Sequence, residues 1–422
     1  MNETLEYLES IGSDKEILVN VKEEVEYSIK HYDGLDDFLF QLELDIKAET
    51  RSLLKETNQL DVPIFNAIAS TIFYVDTNNQ TEFNISCYGS GEKMVSEDTL
   101  FDISAITKLY TLLLAYRLEE VGFLSFDQKI KELSPLYPKL GELTIKDLVI
   151  HNDEFCTIGN IAKAKNDREA RGLLKTIQTK DKDKRRKSYS DLGAIALGNI
   201  LTDVTNQNLD CNYTFREVME LFLFEPTQIP TKETRFRPCH RDILGTGINH
   251  NGVSDLQTRA LGGITGSAGI FSTSQGLITL SRRMFEGNEV FDWCEHLCPK
   301  SKLLAISTSQ SSNGLGFLGA HIKNTGSDRT VVPNEYSDSA FAYQGINGAT
   351  AIFDPEIHIH NSILVDAFPK NGAKSEFGNH LYAYDKYQRF LTKETLLAIL
   401  LKKHYEQRHD ESISITKKFI LR

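Results

Sequence analysis

A mixed α/β fold of the α+β kind is what this sequence predicts, and three observations predict it. A hairpin-like pair of strands lies near residue 70, a long helical stretch fills the middle, and short strands return in the last third. That order places N- and C-terminal strands in one antiparallel sheet, flanked by helices, with a helical subdomain inserted between them.

The elements follow in turn. Residues 1–60 carry apolar positions at helical spacing, Leu5, Leu8 and Ile11, then Val25 and Ile29, then Phe38, Leu42 and Ile46, which predicts two or three amphipathic helices. Asp61-Val-Pro-Ile64 breaks that pattern and sets a boundary. Ile64 to Asp76 is rich in β-branched and aromatic residues, Asn78-Asn-Gln supplies a turn, and Glu82 to Tyr88 follows as the second strand. Leu109, Leu112, Leu113 and Tyr116 recur at turn spacing between Ser104 and Val121, where Gly122 ends the helix. Leu143 to His151 reads as a short helix capped by Thr144, and Ser190 to Val204 is apolar enough to be a buried one. A glycine-rich passage, Leu261 to Thr273, leads into a helix over Gln275 to Met284. Strands are predicted at Gly316 to Lys323, Ser339 to Gln344, Ala349 to Asp354 and Ile357 to Val365, and a helix at Leu381 to Tyr405. Three regions result: a helical extension over 1–60, a main domain over 61–370 and a second helical extension over 371–422.

Composition narrows the classes of function. The chain has 422 residues, 40% of them hydrophobic, enough for a sizeable core. Its 47 basic against 59 acidic residues give a net charge of −12, which argues against nucleic acid or an anionic membrane as a partner. No apolar run reaches the ~18 residues of a membrane span, and the first ten residues carry no signal-peptide pattern. Six scattered cysteines suit a reducing compartment, so a cytoplasmic protein is expected. Cys294, His296 and Cys298, with Cys239 and His240, match no closed ligand set, and no metal or other cofactor is expected. The basic run Lys180 to Lys187 reads as a solvated loop.

The chemistry is carried by four short segments. Phe101-Asp-Ile-Ser-Ala-Ile-Thr-Lys-Leu-Tyr-Thr starts a helix with Ala105 three residues before Lys108. Leu143-Thr-Ile-Lys-Asp-Leu-Val-Ile-His151 comes next, and then Tyr189-Ser-Asp191. Tyr343-Gln-Gly345 precedes Ile346-Asn-Gly-Ala-Thr near the end. In order and spacing they resemble the serine β-lactamase and penicillin-binding-protein family, in its class C-like branch of esterases, D-aminopeptidases and acyltransferases. Val253-Ser-Asp, followed by Leu261-Gly-Gly-Ile-Thr-Gly-Ser-Ala-Gly-Ile-Phe-Ser-Thr, resembles a further family passage, with Ser254 where that family has histidine.

The resemblance implies a β-lactamase/transpeptidase-like fold and an acyl-enzyme mechanism. Position 105 would hold the nucleophile, Lys108 and Tyr189 the acid/base pair, and Asp191 would orient Lys108 or the substrate. The amides of residue 105 and Ile346 would hold the oxyanion, at about 3–4 kcal/mol per donor. Tyr343 and Gly345 would line the substrate strand, where the family has K-T-G, H-x-G or W-G-G.

Ala105 has no oxygen, so the chain as written is expected to bind and not react. Ser104 is set aside because a one-residue shift turns it about 100° around a helix. A designed serine-to-alanine change explains the gap, since Lys108, Tyr189 and Asp191 are kept; a natural pseudoenzyme serving as a binding or scaffold protein is the alternative. The expected partner is a small-molecule or peptide acyl substrate, and the terminal helices leave room for an oligomer or protein contact.

Overall fold

The computed structural model describes residues 27–28, 31–32, 35–58, 65–76, 81–90, 95–150, 155–180, 190–236, 252–285, 305–306, 316–323, 331–333, 336–367, 387, 389–395, 397–399, 401 and 415–420. Its helices include α1 (Leu35–Asn58), α2 (Thr107–Glu120), α3 (Ile145–Val149), α4 (Asp167–Leu174), α5 (Asp191–Leu209), α6 (Phe215–Met219), α7 (Leu256–Ala260) and α8 (Ser274–Phe285). Its strands include β1 (Phe65–Asp76), β2 (Thr81–Ser90), β3 (Phe101–Asp102), β4 (Thr234–Phe236), β5 (Ile270–Ser272), β6 (His321–Ile322), β7 (Phe341–Gln344), β8 (Thr350–Asp354), β9 (Ile359–Ala367) and β10 (Ile415–Ile420).

Among the described residues a seven-stranded sheet runs β10-β2-β1-β9-β8-β7-β6. The β1–β2 hairpin pairs with β9, so that Ile68 faces Val365 and Ile72 faces Asn361. N- and C-terminal strands therefore share one sheet, and the helical middle is the insertion between them. A smaller sheet, β3-β5-β4, lies at the start of α2.

Alternation along β1 assigns the two faces of the sheet. Ala67, Ala69, Phe73 and Val75 join the core built by α2, α5 and α8, whereas Ile68, Ile72 and Tyr74 join a second core with Phe38, Leu42 and Ile46 of α1. The second core also takes Tyr387, Leu391 and Ala398 from the C-terminal helical residues. A chain of hydroxyls ties these pieces together: the Thr50 and Tyr387 oxygens lie 2.7 Å apart, and Tyr387 donates to Ser70 Oγ over 2.8 Å. The terminal helices thus pack on the sheet face opposite α2.

Helix α2 is buried nearly all round, from Thr107 to Tyr116. A helix with no polar face belongs inside a domain. Capping defines the shorter helices: Thr144 accepts from the Asp147 amide, and the Asp147 carboxylate accepts from the Thr144 amide over 2.9 Å. Ser190 caps α5 in the same way, accepting from the Gly193 amide.

Two expectations are corrected. Gly316 to Lys323 is only partly a strand, because Leu318 adopts φ 48° inside a 3-10 turn over Phe317–Gly319 and leaves β6 two residues long. The C-terminal region is not wholly helical, because Ile415–Ile420 forms β10 and pairs in parallel with β2. Among the described residues, no helix is long and apolar enough to cross a membrane.

Candidate active site

The site begins where β3 hands the chain to α2. Phe101 and Asp102 pair with β5, and a 3-10 turn over Ser104–Ile106 precedes the first α-helical residue, Thr107. Ser104 takes φ 47°, a left-handed conformation rarely adopted by residues other than glycine. The Asp102 carboxylate holds this corner, accepting the Ser104 amide over 2.8 Å and the Ser254 amide over 2.6 Å. Complete burial pushes its carboxyl above the usual carboxylate range, against the pull of those donors.

Ala105 sits at this corner, 7% exposed. The helical-rotation picture of Ser104 gives way to a different geometry, a left-handed residue in a 3-10 turn. The Ser104 side chain lies against the α-carbon of Gly345, where an added Cβ would come within 2.7 Å of Ser104 Cβ. Only glycine lets the end of β7 come so near. Asn347, buried in the turn after it, donates to the Asp102 carbonyl over 2.7 Å and fastens β7 to β3. Positions 104–105 and 345–346 are thereby neighbours. Among the described residues neither the Ala105 nor the Ile346 amide donates to a backbone carbonyl, and Ile346 is 66% exposed.

Lys108 is the buried charge of the site, 1% exposed. Its Nζ donates to Asp191 Oδ1 over 2.7 Å and to the Ser267 carbonyl over 3.2 Å. Asp191 is the first residue of α5, where a carboxylate also meets the positive end of the helix dipole. The Ser267 carbonyl arrives through the glycine-rich loop. A Cβ on Gly266 would meet the Ala194 carbonyl oxygen at 2.2 Å, and one on Gly198 would meet Gly266 Cα at 3.0 Å. Those two glycines let the loop lie directly on α5, and Gly266 also accepts from Thr111 Oγ1 of α2 over 2.8 Å. The glycines serve backbone contact between α2, the loop and α5.

A second carboxylate, Asp255, belongs to the same cluster. It caps α7, accepting from the Thr258 amide over 2.6 Å. Burial first, and then the charge of Asp191, push its carboxyl up, while Lys108 pulls it down. One ammonium thus serves two acids.

The structure therefore brings together Ala105, Lys108, Asp191, Gly345 and Ile346. Tyr343 is adjacent in sequence but fully buried in the core, with its hydroxyl donating to the Phe317 carbonyl over 2.8 Å. Tyr189 and His151 lie outside the described residues, as do Cys239, His240, Cys294, His296, Cys298 and residues 181–187 of the basic run. No group of three or more potential metal ligands occurs among the described residues. Asp102, Asp255 and Asn347 were not singled out from the sequence. Their signals are the acid of Phe101-Asp-Ile, the acid of Val253-Ser-Asp and the Asn of Ile346-Asn-Gly, and each reads locally as an ordinary turn or cap.

This arrangement is that of a helix N-terminus with a buried lysine and two open amides. Comparison with known proteins concerns the chain as a whole. A putative D-alanyl-D-alanine carboxypeptidase of Escherichia coli strain K12 is 23% identical over 295 residues, covering 62% of this chain and 67% of that protein. Among solved structures, a β-lactamase/D-alanine carboxypeptidase from Pseudomonas syringae superposes with a TM-score of 0.56 at 17% identity, covering 83% of this chain and 98% of the other. A class C β-lactamase from Rhodobacter sphaeroides gives 0.54 at 14% identity over 84% and 99%. The model of the Beta-lactamase family matches residues 72–383, most of the chain, and the protein is a member of that family.

Proposed function

We propose that this chain carries a serine-hydrolase or acyltransferase site whose acyl-enzyme would form at position 105, on an ester, amide or peptide substrate. As written it binds that substrate without turning it over. The observation that carries this is the buried Lys108 ammonium, one turn into α2 from Ala105 and held by Asp191 and the Ser267 carbonyl. A hydroxyl added at 105 would stand beside a fixed cation at a helix N-terminus, with the Ile346 amide across from it.

In the serine form, the hydroxyl oxygen attacks the acyl carbon and the leaving group departs with a proton. The amides of residue 105 and Ile346 hold the developing oxyanion, and Lys108, paired with Asp191, acts with Tyr189 as the acid/base pair. Tyr189 carries the proton from the nucleophile to the leaving group, and water or an acceptor nucleophile then releases the acyl group. Six cysteines in so long a chain suit a reducing, cytoplasmic setting for this reaction.

Ala105 itself favours a second use of the same cleft, a binding or scaffold protein with no chemical step. One experiment separates the two. Ala105→Ser protein is mixed with a p-nitrophenyl ester and a fluorophosphonate, and its intact mass is recorded. Label at residue 105 and ester turnover are expected, both absent from the chain as written and both lost on adding Lys108→Met. A folded Ala105→Ser protein that neither reacts nor labels would leave the binding role.

A further inference from the structure

We infer that this protein has a second ligand site, separate from the cleft at Ala105, on the far side of α5, and that it takes a small zwitterion of the amino-acid or dipeptide class. A cavity of about 870 Å³ opens there between α4, α5, α6 and the start of the glycine-rich loop. That volume lies within the range of small-molecule pockets.

The lining is unusual in the way its charges are left. Asp203 of α5 and Arg216 of α6 both line the cavity, yet neither takes part in an ion pair among the described residues, and Asp203 Oδ2 and Arg216 Nε are buried without a hydrogen-bond partner. An unmet buried polar atom costs about 1–3 kcal/mol, and more when charged. Native structures seldom keep such atoms unless something else completes them.

The floor and the rim add to the pattern. Asn199 donates to the Tyr137 hydroxyl over 2.7 Å at the floor, and Arg171 and Asp203 both act on that hydroxyl electrostatically. Arg171 and Lys175 stand exposed at the rim. Glu217, the other acid in the lining, is taken up by the cap of α6, accepting from the Thr214 amide and hydroxyl. Three cations and one free carboxylate are therefore on offer. Leu174, Phe215 and Ile264 supply apolar wall between them.

A ligand with one carboxylate and one ammonium answers this set. Its carboxylate meets Arg216, with Arg171 and Lys175 at the entrance, and its ammonium meets Asp203. An apolar side chain covers the wall. A simple anion would leave Asp203 unmet, and a simple amine would leave the cations unmet.

The test is calorimetric titration of the full chain with leucine, phenylalanine and glycyl-leucine, beside 4-methylpentanoate, which lacks the amine, and 3-methylbutylamine, which lacks the carboxylate. At least one zwitterion is expected to bind, with the matching single-charge analogue at least about tenfold weaker. Asp203→Asn should erase the advantage over the carboxylate analogue, and Arg216→Gln that over the amine. Arg171→Gln, at the exposed rim, should weaken binding without unfolding risk, and thermal melts check all three variants. No heat from any zwitterion, equal affinity for 4-methylpentanoate, or full binding retained in both Asp203→Asn and Arg216→Gln would each overturn the proposal.

Discussion

Helix α5 is used in two opposite ways along its length. At its first residue, Asp191 is matched to Lys108 over 2.7 Å, and the Ser267 carbonyl also accepts from the ammonium. Three turns later, Asp203 faces a cavity with one oxygen buried and unmet. The same residue type on the same helix is spent within the chain at one end and unspent at the other. A charge that the fold satisfies holds the fold together, and a charge that it leaves open is available to something else.

The glycine-rich loop touches both ends, so it is the place where the difference can be broken outright. Gly266→Ala would put a methyl 2.2 Å from the Ala194 carbonyl oxygen, which is backbone and cannot step aside. A loss of about 3 kcal/mol, at the upper end of overpacking costs, is expected in denaturant melts with an unchanged slope. A loss under about 1 kcal/mol would mean that the loop does not bear on α5 as described.

Single charges sharpen the comparison next. Asp191→Asn strands a 1%-exposed ammonium, at an expected cost of about 2 kcal/mol once the 29% exposure of the carboxylate is discounted. Adding Lys108→Met should return part of that loss, giving a measurable coupling. Asp203→Asn, with no partner to lose, should stay within about 0.5 kcal/mol of the parent in the absence of ligand. Equal costs for Asp191→Asn and Asp203→Asn would erase the distinction between the two ends.

A pH dependence at the cavity floor sharpens the comparison further. Burial pushes the Tyr137 hydroxyl up to about 12 from its ordinary 10.0. A group raised on folding contributes stability that is complete below its unfolded value and lost as pH rises through its folded one. The parent should therefore lose stability between pH 10 and about 12. Tyr137→Phe should lose less over the same window, read by denaturant melts at both limits. An identical alkaline slope would put the hydroxyl in contact with water.

How much of this was legible in the sequence differs by the range of the contact. The β1–β2 hairpin, the capped α3, the periodic α2 and the apolar α5 announce themselves because period, cap and turn are local. Lys108, Asp191 and Gly345 could be picked out only as a set in order. The cluster's second acid, Asp255, could not, because its neighbours come from α2 and α5 and nothing in Val253-Ser-Asp says so. β10 was hidden for the same reason: Ile415 to Ile420 is a short amphipathic run, and its partner β2 lies at the other end of the described chain. The cavity behind α5 left no trace either, since it is made by three helices and a loop that are separate in sequence.

The register of β1 with β9 has a bearing on how the protein is made. Ile68 finds its partner on the β9 side only at Val365, so the hairpin leaves the ribosome long before the strand that flanks it. Until then both of its edges are bare, and pairing across so long a loop is slow. The β1–β2 segment should be the stretch most in need of a chaperone during synthesis, and truncated chains that stop short of β9 should aggregate through it.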